Sequence, residues 1–277
     1  MLGSRLSNLT RTLTCALVYI ALAGCAQRPL SLAATSTPEV PQFCKLHVDG
    51  SVIKDATGKS IVLHGATLPP LAEMITSDRK PEQRLRELAG AGARVVRLRI
   101  TEREMTPTFV PATVSPFIDK ANALGILVIL SYQNDLTLAA NGQADNAEDW
   151  MRLELQYLRN SPGAWFEPFA NKADTPKWQG MHQRMIDVAR GFKADNVILV
   201  DEPTWLAEGK AEVSGGNLAH AVAFVKGWPS QATPLVVVSG DVASLRAAQS
   251  AGAWAISDGD MITDELATLW KTSVMCG

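Results

Sequence analysis

From residue 61 onward the chain carries eight short runs of apolar, often β-branched residues, at 61–68, 94–100, 126–132, 164–170, 196–201, 218–225, 234–239 and 253–257. Most are apolar at nearly every position, not at alternate ones. That is the signature of a strand covered on both faces, as in parallel sheets. Between several of them apolar residues recur three and four apart, which places them on one face of a helix. The clearest case is 177–192, with Trp178, Met181, Met185, Val188 and Phe192; further patterns lie at 83–89, 116–124, 149–158, 242–250 and 262–270. Strand and helix in alternation build a parallel sheet layered by helices. Eight such units predict an α/β fold, a (β/α)8 TIM barrel near the lower end of its usual size. An open doubly wound sheet is the other arrangement with this pattern. Ahead of the first unit, 46–48 and 51–53 flank Asp49-Gly50, so an N-terminal β-hairpin is expected. The stretches 202–217 and 226–233 are rich in Gly, Pro and charge, so the later outer helices are expected to be trimmed or missing.

Composition narrows the function. With 47% hydrophobic and 19% charged residues the chain is not disordered. A formal charge of −2 argues against a nucleic-acid partner. There is no Walker loop, no Gly-x-Gly-x-x-Gly, no Cys-x-x-Cys, no His-Glu-x-x-His and no Gly-x-Ser-x-Gly. Gly90-Ala91-Gly92 follows a helix and precedes a strand, so it reads as a helix stop and not a phosphate cradle. His47, His64, His182 and His220 are scattered, and neither a metal nor a cofactor is expected.

The first residues read as an address. Arg5 and Arg11 precede an apolar run at 13–23 that is far shorter than the ~20 residues needed to span a bilayer. The run ends Leu22-Ala23-Gly24-Cys25, which resembles the lipobox of bacterial lipoproteins. That resemblance implies removal of residues 1–24 and S-lipidation of Cys25, and Ala26 after it implies the outer membrane, facing the periplasm. More than one acyl chain gives stable anchoring. Removal of those residues takes away two Arg and no acid, and so leaves a formal charge of −4. Residues 25–43 would then be the lipidated Cys and a flexible tether, and 44–277 the folded body. Cys44 and Cys276 lie at the two ends of that body. An oxidising compartment permits a disulfide between them; two separate thiols is the other reading.

Several stretches carry a resemblance to a known family. Val48-Asp49-Gly50 with Ile61-Val62-Leu63-His64-Gly65 is similar to the opening hairpin and first strand of the family 5 glycoside hydrolases, the cellulase-like barrels. Leu88 to Leu98 resembles that family's second strand, with Arg97 at its active-site arginine. The 121–130 segment resembles the approach to the third strand, Trp165-Phe166-Glu167-Pro168-Phe169 the fourth, and 196–200 with Trp205 the fifth. Pro234-Leu235-Val236-Val237 and Ala251-Gly252-Ala253-Trp254 resemble the seventh and eighth. The resemblance implies a barrel acting on polysaccharide through two carboxyl groups, one a proton donor and one a nucleophile, ~5–5.5 Å apart in a retaining enzyme.

The chemical positions of that pattern are degenerate. Asn171 stands where the acid is expected, with Lys172 there under a one-residue shift, and an amide has no titratable proton to give. Ser239 stands at the nucleophile, Gln133 at the histidine after the third strand, and Ala223 and Val225 at the polar pair of the sixth. The fallback carboxylates near strand ends are Asp241, Glu202 and Asp258, with Asp201 and Asp260 beside them. Asp241 and Asp258 equally suit the starts of the following helices. Glu167 lies four residues before Asn171, about 13 Å deeper, where it suits an ion pair with Arg97. Arg97, Asn171, Trp205, Trp254 and Tyr132 are the candidate binding residues, since aromatic faces stack on sugar rings; Trp254 equally suits the core. The expected function is therefore a lipid-anchored envelope protein that binds polysaccharide or a protein partner without cleaving glycan. The alternatives are an active glycosidase with relocated carboxylates and a structural scaffold for an envelope protein.

Overall fold

The computed structural model describes residues 43–50, 52–77, 79–133, 142–169, 178–201, 213–222 and 235–276. A hairpin of β1 (Leu46–Asp49) and β2 (Val52–Asp55) opens the fold. Eight parallel strands follow: β3 (His64–Leu68), β4 (Val95–Ile100), β5 (Leu127–Tyr132), β6 (Ala164–Glu167), β7 (Ile198–Asp201), β8 (Leu218–Val222), β9 (Leu235–Ser239) and β10 (Trp254–Ser257). They close into a barrel in sequence order, with β10 hydrogen-bonded back to β3. The helices are α1 (Leu71–Thr76), α2 (Pro81–Ala91), α3 (Ser115–Ala123), α4 (Gly142–Leu158), α5 (Trp178–Gly191), α6 (Val242–Ser250) and α7 (Asp264–Trp270). This is a (β/α)8 TIM barrel, and each predicted strand contains one observed strand. The expectation of trimmed later helices falls mainly on 202–212 and 223–234, outside the described residues; residues 213–217 enter β8 without a helix.

Strand alternation sorts the side chains into two clusters. Val96, Leu98, Val128, Leu130, Phe166 and Val200 face the helices with Leu85, Leu88, Ile118 and Met185. Val95, Leu127, Ile129, Trp165, Leu199, Val236, Trp254 and Ile256 fill the interior. Trp165 and Trp254 stack inside it, ring centroids 4.7 Å apart, and the Trp254 indole donates to the Ile61 carbonyl at 2.9 Å. Gly65 has no room for a side chain, because a Cβ there would lie 1.7 Å from the Val95 carbonyl oxygen of the adjacent strand.

The hairpin plugs the end of the barrel where the strands begin. Phe43, Leu46 and Ile53 belong to the same cluster as the interior residues. The Asp55 carboxylate accepts from the Thr57 and Lys59 amides and so shapes the turn after β2. The tail returns to this end: Val62 and Val274 exchange backbone hydrogen bonds, and Cys44 is joined to Cys276 by a disulfide, Cα to Cα 6.4 Å. The bond closes a loop with a sequence separation of 232, long enough for a chain-entropy stabilisation of about 3–5 kcal/mol. Thiol titration of the denatured, unreduced protein is expected to find neither Cys44 nor Cys276 free. Cys44→Ser should lower the urea midpoint of unfolding correspondingly.

One charge is buried in the outer layer. Glu154 on α4 is fully buried, and burial is the main force that pushes its pKa up to about 8, with the nearby Glu104 carboxylate adding to it. Glu104 is itself buried but well served, accepting from the Ala72 and Thr101 amides. A raised carboxyl is protonated in the native state and ionised in the unfolded state between its two pKa values. Stability therefore falls as pH rises from about 4.5 to about 8 and levels off above that. Glu154→Gln should remove this slope and raise the melting temperature at pH 8, by a free energy on the order of a few kcal/mol. Thermal unfolding from pH 5 to pH 9 checks both statements.

Candidate active site at the barrel mouth

The strands end at a mouth, the face where barrels of this architecture build their sites. β4 turns Val95, Arg97 and Arg99 inward, because alternate residues of a strand face the same way. β6 turns Trp165 and Glu167 inward by the same rule. Arg97 and Glu167 meet as a two-pronged pair: Arg97 Nε donates to Oε2 at 2.6 Å and Nη2 to Oε1 at 2.9 Å. Both are buried, at 6% and 0% exposure. Burial pulls the Arg97 pKa down, but Glu167, with Asp201 and Asp258 contributing, holds it above its ordinary value. The guanidinium is therefore a permanent cation surrounded by carboxylates.

The next layer toward solvent is polar. Arg99 donates to Asp258 at 2.8 Å and ties the end of β4 to the loop after β10. Gln133 donates to Ser131 Oγ at 3.2 Å; both continue the inward parity of β5. Asp201, at the end of β7, is buried at 4% exposure. Asp260 lies within ion-pair distance of Arg84 and Arg79, at 3.4 and 3.7 Å, which fastens the same loop to the outer layer. Among the described residues no group of three His, Cys, Asp or Glu is placed to hold a metal ion.

Three expectations are corrected by the geometry. Asp241 is not a mouth carboxylate. It is the N-cap of α6, accepting from the Ala243 and Ser244 amides at 3.3 and 3.0 Å and from the Ser244 hydroxyl at 2.8 Å. Those bonds, the Ser244 hydroxyl first, lower its pKa, the opposite of what a proton donor needs. Ser239 shares the parity of Val237, which packs in the outer cluster, while Val236 and Val238 pack inside. Its hydroxyl accepts the Asp241 amide at 3.0 Å and belongs to the turn into α6. Two of the aromatic candidates also leave the mouth. Tyr132 faces outward, 1% exposed, stacked on Trp150 of α4 with centroids 5.3 Å apart, and burial, with Glu102 nearby, pushes its pKa up to about 12. Trp254 is 2% exposed in the lower interior, where its indole is already bonded. Ring stacking with a sugar requires an open face, and neither ring has one.

Gln133 and Asp258 lie in the polar layer of the mouth, and Arg97 pairs with Glu167 in the buried layer beneath. Asn171, Glu202, Trp205 and Cys25 lie outside the described residues. Arg99 and Ser131 were not singled out from the sequence, although their two-residue offsets from Arg97 and Gln133 carried the signal.

A closed parallel barrel with an inward arginine on its second barrel strand and an inward glutamate on its fourth matches the resemblance. Residues 55–223 match the sequence model of the cellulase family, glycosyl hydrolase family 5. The chain belongs to glycoside hydrolase family 5. Its barrel is similar to a β-glucanase from Saccharophagus degradans in complex with cellotetraose, at 16% identity and a TM-score of 0.68, covering 83% of this chain and 92% of that one. It is also similar to a β-mannanase from Streptomyces thermolilacinus with mannohexaose, at 16% identity and a TM-score of 0.63, covering 80% and 85%. A β-mannanase of Thermomonospora fusca, also with mannohexaose, aligns at 15% identity and a TM-score of 0.64, covering 80% and 88%. At such identities these likenesses concern the fold. No curated protein sequence matches the chain.

The family 5 barrel depends on its buried pair. Removing one partner leaves an uncompensated charge in the interior, which costs about 3–5 kcal/mol. Glu167→Ala is expected to lower the unfolding free energy by that amount. The double variant Glu167→Ala with Arg97→Met should recover part of it. Urea unfolding of the three proteins measures this.

Proposed function

We propose that this family 5 barrel is a non-catalytic, lipid-anchored envelope protein that binds a polysaccharide at its mouth. The observation that carries the reading is the commitment of three described carboxylates. Glu167 spends both oxygens on Arg97, Asp258 is paired with Arg99, and Asp241 caps a helix. Glycoside hydrolysis needs one carboxyl group to protonate the leaving oxygen and another free to attack or to activate water. Ser239, at the nucleophile position, offers a hydroxyl used in a turn. Asn171, at the acid position, offers an amide. What the mouth retains is hydrogen-bonding capacity, in Gln133, Arg99 and Asp258, suited to sugar hydroxyls.

Anchoring rests on Leu22-Ala23-Gly24-Cys25, with Cys25 as the lipidated residue and the periplasmic face of the outer membrane as the location. Asp201 and Glu202 supply the competing reading, a hydrolase with displaced carboxylates.

The test incubates the full-length protein with β-glucans, mannans and bacterial exopolysaccharides. Mass spectrometry follows released oligosaccharides, and calorimetry follows binding. Binding without products is expected. Products lost in Asp201→Asn or Glu202→Gln would establish the hydrolase instead. Neither binding nor products would favour a scaffold for a protein partner.

A further inference from the structure

Among the described residues the two ends of the barrel differ in charge. The end opposite the mouth comprises the hairpin (43–63), the loops entering the strands (92–94, 124–126, 159–163, 192–197, 213–217 and 251–253) and the tail (271–276). In these segments Lys45, Lys54, Lys59, Arg94, Arg159, Lys193 and Lys271 face only Asp49, Asp55 and Asp195. That is a net charge of +4 on one face of a chain whose total is −2. The described segments at the mouth show no such excess: Glu73, Glu102, Asp241, Asp258 and Asp260 stand against Arg79, Lys80, Arg99 and Arg103.

The basic end is also shaped. A cleft of about 200 Å³ opens between the hairpin and the loops entering β6 and β7, lined by Lys45, Arg159, Asn160, Lys193, Asp195 and Asn196. Lys45 pairs with Asp195 at 2.9 Å. Neither Arg159 nor Lys193 has an ion-pair partner among the described residues, and both are exposed. Val52 and Val274, 38% and 39% exposed, lie on the same end. The chain enters the fold here, at Phe43. Residues 26–42 can reach at most about 60 Å even if extended, so an anchor at Cys25 confines this end to the bilayer's vicinity.

We infer that the basic end of the barrel docks on an anionic phospholipid surface and holds the mouth pointing away from the membrane. The inference rests on the lipid anchor proposed above. A cation near an anionic bilayer gains electrostatic energy that adds to the acyl anchor and decays within a Debye length. Headgroup phosphates suit the cleft, where Arg159 and Lys193 supply donors and Asp195 is already neutralised by Lys45. The described mouth segments carry no excess of cations, so charge favours the orientation that sets the basic end on the membrane.

The test reconstitutes the full-length lipidated protein on vesicles of phosphatidylcholine alone or with phosphatidylglycerol. Flotation reports anchoring, and hydrogen–deuterium exchange reports contact. Protection of 43–60, 159–163 and 192–197 on the anionic vesicles only, lost in 0.5 M salt and in Arg159→Glu with Lys193→Glu, is the expected result. That variant should also weaken partitioning of the unlipidated full chain onto anionic vesicles by roughly tenfold or more. Equal exchange on both lipids, or protection at 101–109 and 258–263, would overturn docking while flotation left the anchor standing. Failure to float on the neutral vesicles would remove the anchor, and the anionic vesicles would still decide the docking. Protection by inorganic phosphate alone, equal to that by vesicles, would make the cleft a small-anion site and overturn the membrane assignment.

Discussion

Arg97 and Glu167 face each other in the interior of a closed barrel, and much of the remaining architecture serves to make that pairing tolerable. Two charges taken out of water are costly unless their geometry is good and their partners are fixed. Here both guanidinium–carboxylate bonds are made, and Asp201 and Asp258 add further negative charge around the cation. The strands that present the pair are covered on both sides, by helices outside and by the Trp165–Trp254 stack below. The hairpin and the Cys44–Cys276 bond seal the lower end, so the polar layer communicates with solvent only on the side of the mouth.

That division gives the molecule a polarity. Its lower end is closed, stapled and basic, and it receives the chain. Its mouth is polar, with Arg99, Gln133 and Asp258 in the layer above the buried pair. The barrel carries apolar strands with Arg97 and Glu167 turned inward and bonded to each other. Asp258 is bonded to Arg99, and Asp241 to the first amides of α6. A shared barrel does not by itself fix a reaction, which depends on the side chains at the site.

The legible features were those set by local pattern. Continuous apolar runs declared strands buried on both faces. The resemblance of 88–98 singled out Arg97, and the depth of Glu167, four residues before Asn171, suited it to an ion pair with that arginine. Asp49-Gly50 announced the hairpin. Asp241 shows where such reasoning divides: two residues past a strand end, it suits both a fallback site carboxylate and the sequence rule for a helix cap. The free amides of α6 decided between them, because they lie within bonding distance of its carboxylate. Tyr132 and Trp254 were misplaced for a related reason. An aromatic residue near a strand end looks alike in sequence whether its ring lines a mouth or packs against a helix.

The sequence by itself determined the class of fold and the order of its strands. These follow from side-chain period and residue type, which are properties of adjacent positions. Only the tertiary structure decided which carboxylates are already spent, that Arg99 reaches Asp258 across 159 positions of chain, that Ser239 turns outward, and that seven cations gather on one end. Pairing energies and surface fields depend on distances between residues remote in sequence, and barrel closure sets those distances.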